Sequence, residues 1–128
     1  VALLLDTHAF IWWMANDPKL SRLAYAEIAG GESEVFISAA TVWEIATKHR
    51  LGKLEVDDDL ASSMQTAIAK QNFLGLPVSL AHAQRAGALP GPHADPFDRM
   101  LIAQAMTEDL TLVSNERPFD LYGVKRLW

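Results

Sequence analysis

The sequence predicts an α/β fold of three layers, helices on both sides of a small, mostly parallel central sheet, and two observations carry that reading. Short apolar runs alternate along the chain with longer segments of helical composition, the pattern left by parallel strands joined through crossover helices. Half of the 128 residues are hydrophobic against only seven Gly and six Pro, so residues 1–128 have the apolar surface for one compact domain.

Val1 to Leu5 is an uninterrupted apolar run and reads as a strand buried on both faces. Asp6-Thr7 supplies capping chemistry for a helix from His8 to Met14, which Asp17-Pro18 closes. A second helix, Ser21 to Ala29, ends at Gly30-Gly31, and Val35 to Ser38 is a second short strand. A helix from Ala39 to Arg50 stops near Gly52. Lys53 to Asp59 is polar and reads as loop, with Asp57-Asp58-Asp59 as helix-start chemistry on a solvated face; Leu60 to Ala69 reads as one helix, and Leu74 to Val78 as a third strand interrupted by Pro77. Ser79 to Ala86 is a short helix, Leu89 to His93 a loop, and Pro96 to Thr107 a helix. Leu110 to Ser114 is a strand, the stretch around Pro118 is irregular, and Val124 to Leu127 is a last strand. There is no repeat, linker or low-complexity tract.

The formal charge of −5 excludes a simple phosphate-tracking protein, which carries an excess of Lys and Arg. A nucleic-acid enzyme of this composition needs cations to offset its acids. Cysteine is absent, which removes disulfides, thiolate metal sites and thiol nucleophiles and fits a cytoplasmic location. The opening apolar run stops at Asp6 without a basic flank, so neither a secretory segment nor a membrane span is expected.

In an open parallel sheet, ligands gather beyond the carboxyl ends of the strands. Asp6 follows the first strand directly, Glu44 lies early in the helix after the second, Asp95 and Asp98 open a later helix, and Glu116 stands two residues past the Leu110 to Ser114 strand. Carboxylates without Cys or paired His select a hard cation, Mg2+ or Mn2+, over zinc. None of His8, His49, His82 and His93 forms a zinc-hydrolase spacing, and His93 fits either a substrate contact or a supporting loop role.

Each acid also has a purely structural reading. Asp6 fits a helix N-cap, and Glu44 fits an i, i+4 pair with Lys48 on a solvated face. Asp95-Pro96-Phe97-Asp98 resembles a capping box with Asp in place of Glu, and Glu116 fits an ordinary loop acid. Arg99 and Lys48 fit either phosphate neutralisation or structural ion pairs. Trp12 and Trp13 point about 100° apart on a helix, which leaves one for an interface unless both are half-buried within the monomer.

Several blocks together resemble a PIN domain of the VapC toxin type. They are Leu3 to His8, Ser38 to Lys48 with Leu51 to Leu54, Asp95 to Arg99 with Leu101 to Ala105, and the close around Leu112 to Ser114, Phe119, Tyr122 and Leu127-Trp128. The resemblance spans essentially the whole chain in order. It implies a Mg2+-dependent endoribonuclease (Mn2+ as substitute) that hydrolyses RNA through a metal-activated water, leaving a 3'-hydroxyl and a 5'-phosphate. The catalytic acids it implies are Asp6, Glu44, Asp98 and Glu116, with Asp6 and Asp98 as metal ligands and Asp95 as an adjacent acid. Thr7 and Ser114 are implied to orient water or ligands, with helix capping the other role open to Thr7. The family's fourth acid is usually Asp, and Glu116 is one methylene longer. The partners implied are RNA, an antitoxin seated near the first helices, and a second copy in a homodimer.

A phosphorelay receiver needs an acidic pair after its first strand and a Lys after a late one, and both are missing. An Asp-x-Asp phosphatase fails because residue 8 is His. The remaining alternative is a PIN-like binding module that has lost catalysis with its altered fourth acid.

Overall fold

The computed structural model describes residues 1–128. In chain order its elements are β1 (Ala2–Leu5), α1 (Thr7–Met14), α2 (Arg22–Ala29), β2 (Glu34–Ser38), α3 (Ala39–Arg50), α4 (Asp58–Ser62), α5 (Met64–Lys70), β3 (Leu74–Leu76), α6 (Leu80–Ala88), α7 (Pro96–Glu108), β4 (Thr111–Val113), a 3-10 turn (Arg117–Tyr122) and β5 (Arg126–Leu127). The five strands form one sheet in the order β3-β2-β1-β4-β5, every neighbouring pair parallel.

The central strand explains the layering. Successive side chains of a strand point to opposite faces, so Leu3 and Leu5 enter one apolar layer with Phe10, Ile11, Ile37, Ile45 and Ile68. Leu4 enters the other with Leu101, Ile102, Leu112 and Phe119. All three leucines are fully buried, as a strand covered by helices on both faces requires.

The segment read from sequence as a single helix, Leu60 to Ala69, is two. Ser63 leaves the helical region at φ −140° and ψ 37°, and the hydroxyls of Ser62 and Ser63 bond back to the Asp59 carbonyl, competing with the helix ladder. The helix starts at Asp58, two residues before Leu60, and the Asp57-Asp58-Asp59 run does supply its start: the Asp57 side chain caps α4 through the Asp59 N–H at 2.9 Å. β3 stops at Leu76 because Pro77 has no N–H to donate. The stretch around Pro118, read as irregular, is the 3-10 turn, closed by Gly123 at φ 73°. Trp12 and Trp13 are both half-buried within the chain: Trp12 lies between His8 and Trp128, and Trp13 packs on Tyr25 and Phe73 while its indole N–H donates to Gln71. No helix is long and apolar enough to cross a membrane.

The strand order fixes where a ligand site belongs. The chain winds outward from β1 through β2 to β3, then returns to the other side of β1 as β4, so the crevice at the carboxyl ends of β1 and β4 is the point where winding reverses. The Asp6 N–H donates to the Val113 carbonyl across that crevice at 3.0 Å.

Candidate active site

Asp6 sits at the switch point and does two jobs. Its backbone leaves β1 extended, and its Oδ1 accepts the Ala9 N–H at 2.8 Å, which caps α1. The side chain is held in an almost closed pocket, the residue being 5% exposed. Burial pushes its carboxyl up to about 6, against the opposing effects of the Ser114 hydroxyl and the Ala9 N–H; the charge of His8 also lowers it and that of Asp98 raises it. Capping therefore describes Asp6 without explaining why a titratable group was buried there.

Glu44 reaches the same region from the first turns of α3 and is 4% exposed. Its Oε1 accepts the Thr7 hydroxyl and its Oε2 the Lys48 ammonium, each at 2.5 Å, while the Thr41 hydroxyl lies 3.3 Å from that of Thr7. The i, i+4 pair with Lys48 forms, but with the Glu44 carboxylate buried in the site and only the Lys48 end reaching solvent. Thr7 serves as a donor to Glu44, and the cap is left to Asp6. Thr41 went unnoticed in the sequence, although its position one turn before Glu44 places both on one helix face.

Asp98 enters from the first turn of α7. Asp95 is the N-cap of that helix, accepting the Phe97 and Asp98 N–H groups at 2.8 and 3.0 Å, and Pro96 opens it. The capping box does not close, because the Asp98 carboxylate turns away to the His93 ring, with 2.8 Å between Oδ2 and Nε2. Burial raises the Asp98 carboxyl, the His93 hydrogen bond lowers it, and the charges of Asp95 and Glu44 raise it further. The field of Asp95 and Asp98 also reaches Lys48, whose ammonium is held above its ordinary value chiefly by the bond to Glu44.

The loop before α7 is pinned from two sides. Arg99 donates to the carbonyls of Ala86, Leu89 and His93, and the His93 N–H donates to the Tyr122 hydroxyl at 3.0 Å. Arg99 thus makes no ion pair, the structural role its position suggested, and its guanidinium is engaged by backbone instead. It acts as a structural clamp because three unpaired carbonyls converge on its guanidinium.

The chain matches the PIN domain over residues 3–125. It belongs to the PIN domain family. Among curated proteins this PIN domain is similar to Ribonuclease VapC22 of Mycobacterium tuberculosis (strain ATCC 25618 / H37Rv), with 29% identity over 115 residues, 89% of this chain and 86% of the relative. Two solved assemblies share its fold. VapBC2 from Rickettsia felis, bound to a DNA fragment from its promoter, superposes with a TM-score of 0.73 at 16% identity, covering 99% of this chain and 98% of that one. VapBC-1 from nontypeable Haemophilus influenzae does so at 0.70 and 15%, covering 99% and 97%.

Two acids of this PIN domain stand apart from the buried ones. Asp95 is committed to its cap, and Glu116 is exposed, its carboxylate free of hydrogen bonds while its N–H donates to the Ser114 hydroxyl at 3.0 Å. Ser114, fully buried beside Asp6, links the end of β4 to that turn. No three Asp, Glu or His side chains converge tightly enough to enclose a cation by themselves. The donor set still fits Mg2+, which ordinarily takes one or two carboxylates and fills its octahedron with water and substrate oxygens. Buried, mutually repelling carboxylates with Lys48 as their one ammonium partner are the electrostatic setting such an ion relieves.

Proposed function

We propose that this PIN domain is a Mg2+-dependent endoribonuclease that hydrolyses RNA phosphodiester bonds with water as nucleophile, and that it is the toxin half of a VapBC-type pair. The observation that carries the reading is the set of carboxylates at the switch point of the sheet, where Asp6 and Glu44, 5% and 4% exposed, follow β1 and β2, and Asp98 enters from the first turn of α7; burial raises the Asp6 carboxyl there. A group so poorly compensated fits a site completed by a divalent cation. Asp6 and Asp98 would hold it; when bound, Mg2+ or Mn2+ supplies Lewis-acid stabilisation of phosphate charge and makes a coordinated water acidic.

The chain's own residues do the positioning. Thr7 and Lys48 grip the two oxygens of Glu44 and fix the plane in which that carboxylate orients a water. Lys48, half-exposed, presents its remaining N–H bonds to a substrate phosphate. His93 holds one oxygen of Asp98 and leaves the other for the site. The name of the Mycobacterium relative and the VapBC assemblies with the same fold support the ribonuclease and the antitoxin partner. We place the antitoxin's tail in the cleft of about 710 Å³ bordered by Ile11, Met14, Val56 and Leu60, whose Glu55, Asp57 and Asp59 suit a basic flank, and the whole assembly in the cytoplasm.

The exposed Glu116 favours a second reading, a PIN-like module that binds partners without turnover. One experiment separates the two: incubation of purified protein with a pool of structured and single-stranded RNA, in Mg2+ or EDTA, beside Asp98→Asn. Mg2+-dependent cutting absent from the variant is the expected result, whereas metal binding without any cutting would favour the module.

A further inference from the structure

Next to the carboxylates lies an aromatic platform that hydrolysis itself does not use. Trp43 immediately precedes Glu44 on α3, and where Glu44 turns inward Trp43 turns out, 67% exposed. Its ring meets Phe97 edge-on, centroids 5.2 Å apart at 73°. Phe97 immediately precedes Asp98, and the Lys48 ammonium stands 5.7 Å over the Phe97 ring while bonding Glu44. Together with Ala39, Val78, Pro96 and Met100 the two rings line an apolar groove of about 420 Å³. Exposing a tryptophan is costly, and this one is held by a neighbouring ring rather than covered.

We propose that Trp43 and Phe97 form a stacking subsite for the nucleobase next to the cleaved phosphodiester; the proposal rests on the ribonuclease reading of the adjacent acids. A nucleotide joins a flat, apolar π-face to an anion through one sugar, and here an apolar groove with an open indole adjoins a cation and a hydrolytic site. Lys48 ties the two halves together, since it touches both the Phe97 ring and the Glu44 carboxylate. Stacking tolerates any base, so Trp43 confers affinity for unpaired RNA rather than a sequence code. A paired base presents no free face, so cleavage is directed to single-stranded or splayed nucleotides.

The test compares wild type, Trp43→Ala and Trp43→Phe on a short single-stranded RNA cleaved by the wild type, and on copies with one abasic ribose on either side of the cleaved bond. Trp43→Ala should raise KM roughly tenfold with single-turnover kcat nearly unchanged, and Trp43→Phe should recover most of the loss. One abasic copy should cost the wild type the same factor and Trp43→Ala nothing further. Equal KM values, or penalties that simply multiply, overturn the subsite. Binding of labelled oligoadenylate and its abasic counterpart, followed by anisotropy in EDTA, reads the stacking without turnover. Absent cleavage by the wild type would count against the ribonuclease reading alone, while equal oligoadenylate affinity of wild type and Trp43→Ala would count against the platform. Sedimentation is run alongside: a wild-type dimer that Trp43→Ala dissociates, with KM restored at high protein concentration, assigns the groove to a second copy instead and overturns the proposal.

Discussion

The acids at the carboxyl end of β1 and those at the β4–β5 edge are the same residue types in opposite electrostatic states. At the edge, Asp109 bonds Lys125 at 2.7 Å and Asp120 takes a two-pronged contact from Arg126 at 2.8 and 3.0 Å; these bonds hold both carboxyls below their ordinary value. At the switch point Asp6 and Asp98 are raised, chiefly by burial, with no Lys or Arg bonded to either. Exposed acids paired with cations are ordinary surface chemistry. Buried acids crowded against other acids cost stability, which is the mark of a site kept for function rather than for the fold.

The difference is broken most severely at Asp98. Changing partners around a metal ligand typically costs 10- to 100-fold, so Asp98→Asn, which removes a proposed ligand, should lower RNA cleavage by at least about 100-fold. Circular dichroism should be unchanged, and cleavage within a few-fold of wild type would remove Asp98 from the mechanism.

Asp6 sharpens the contrast through pH. Its folded value of about 6 lies above the ordinary 3.8 of an aspartate in water, so folding favours the protonated form. In EDTA that stabilisation is present in full below about pH 4 and is lost as pH rises through 6, a fall on the order of 3 kcal/mol from this group. Asp6→Asn keeps the cap and removes the titration. It should therefore lower cleavage no further than Asp98→Asn does and be more stable than wild type in EDTA at pH 7 by up to about 3 kcal/mol, measured by urea unfolding. A variant less stable than wild type would show that the carboxylate is not strained. Mg2+ should raise the melting temperature of wild type and not of Asp6→Asn.

Arg99→Lys leaves three carbonyls to one flexible ammonium and should cost about 2 kcal/mol, with reduced cleavage as His93 loosens from Asp98. Unchanged stability would mean that Tyr122 alone holds the loop. The smallest effect belongs to the edge: Asp109→Asn should leave melting temperature and cleavage alike within error, because its single bond to Lys125 joins two exposed side chains.

Most of the framework was legible in the chain. Leu3-Leu4-Leu5 announced a strand covered on both faces, and Asp95-Pro96 announced the start of a helix; both are local patterns that tertiary contacts reinforce. The break at Ser63 was not legible, because two serine hydroxyls competing for one carbonyl leave no trace in hydrophobic periodicity. In the site, the positions of Asp6, Glu44 and Asp98 after strands or at helix starts were readable, since the topology of a parallel sheet carries strand ends to one edge.

Partnership was not readable, and it depends on distance in space. Glu44 to Lys48 is a local spacing, yet only the packing of α1 on α3 brings the Thr7 hydroxyl to Glu44 across 37 residues and buries the carboxylate end of that pair. Arg99 stood beside a proposed ligand and was drawn instead to the carbonyls of Ala86, Leu89 and His93. By itself the sequence determined which residues are acidic, where β1 and β2 end and therefore which edge holds a site. The tertiary structure alone decided which acids are buried, which are compensated and which remain in water, because desolvation and Coulomb energy depend on neighbours that no residue's own position in the chain reveals.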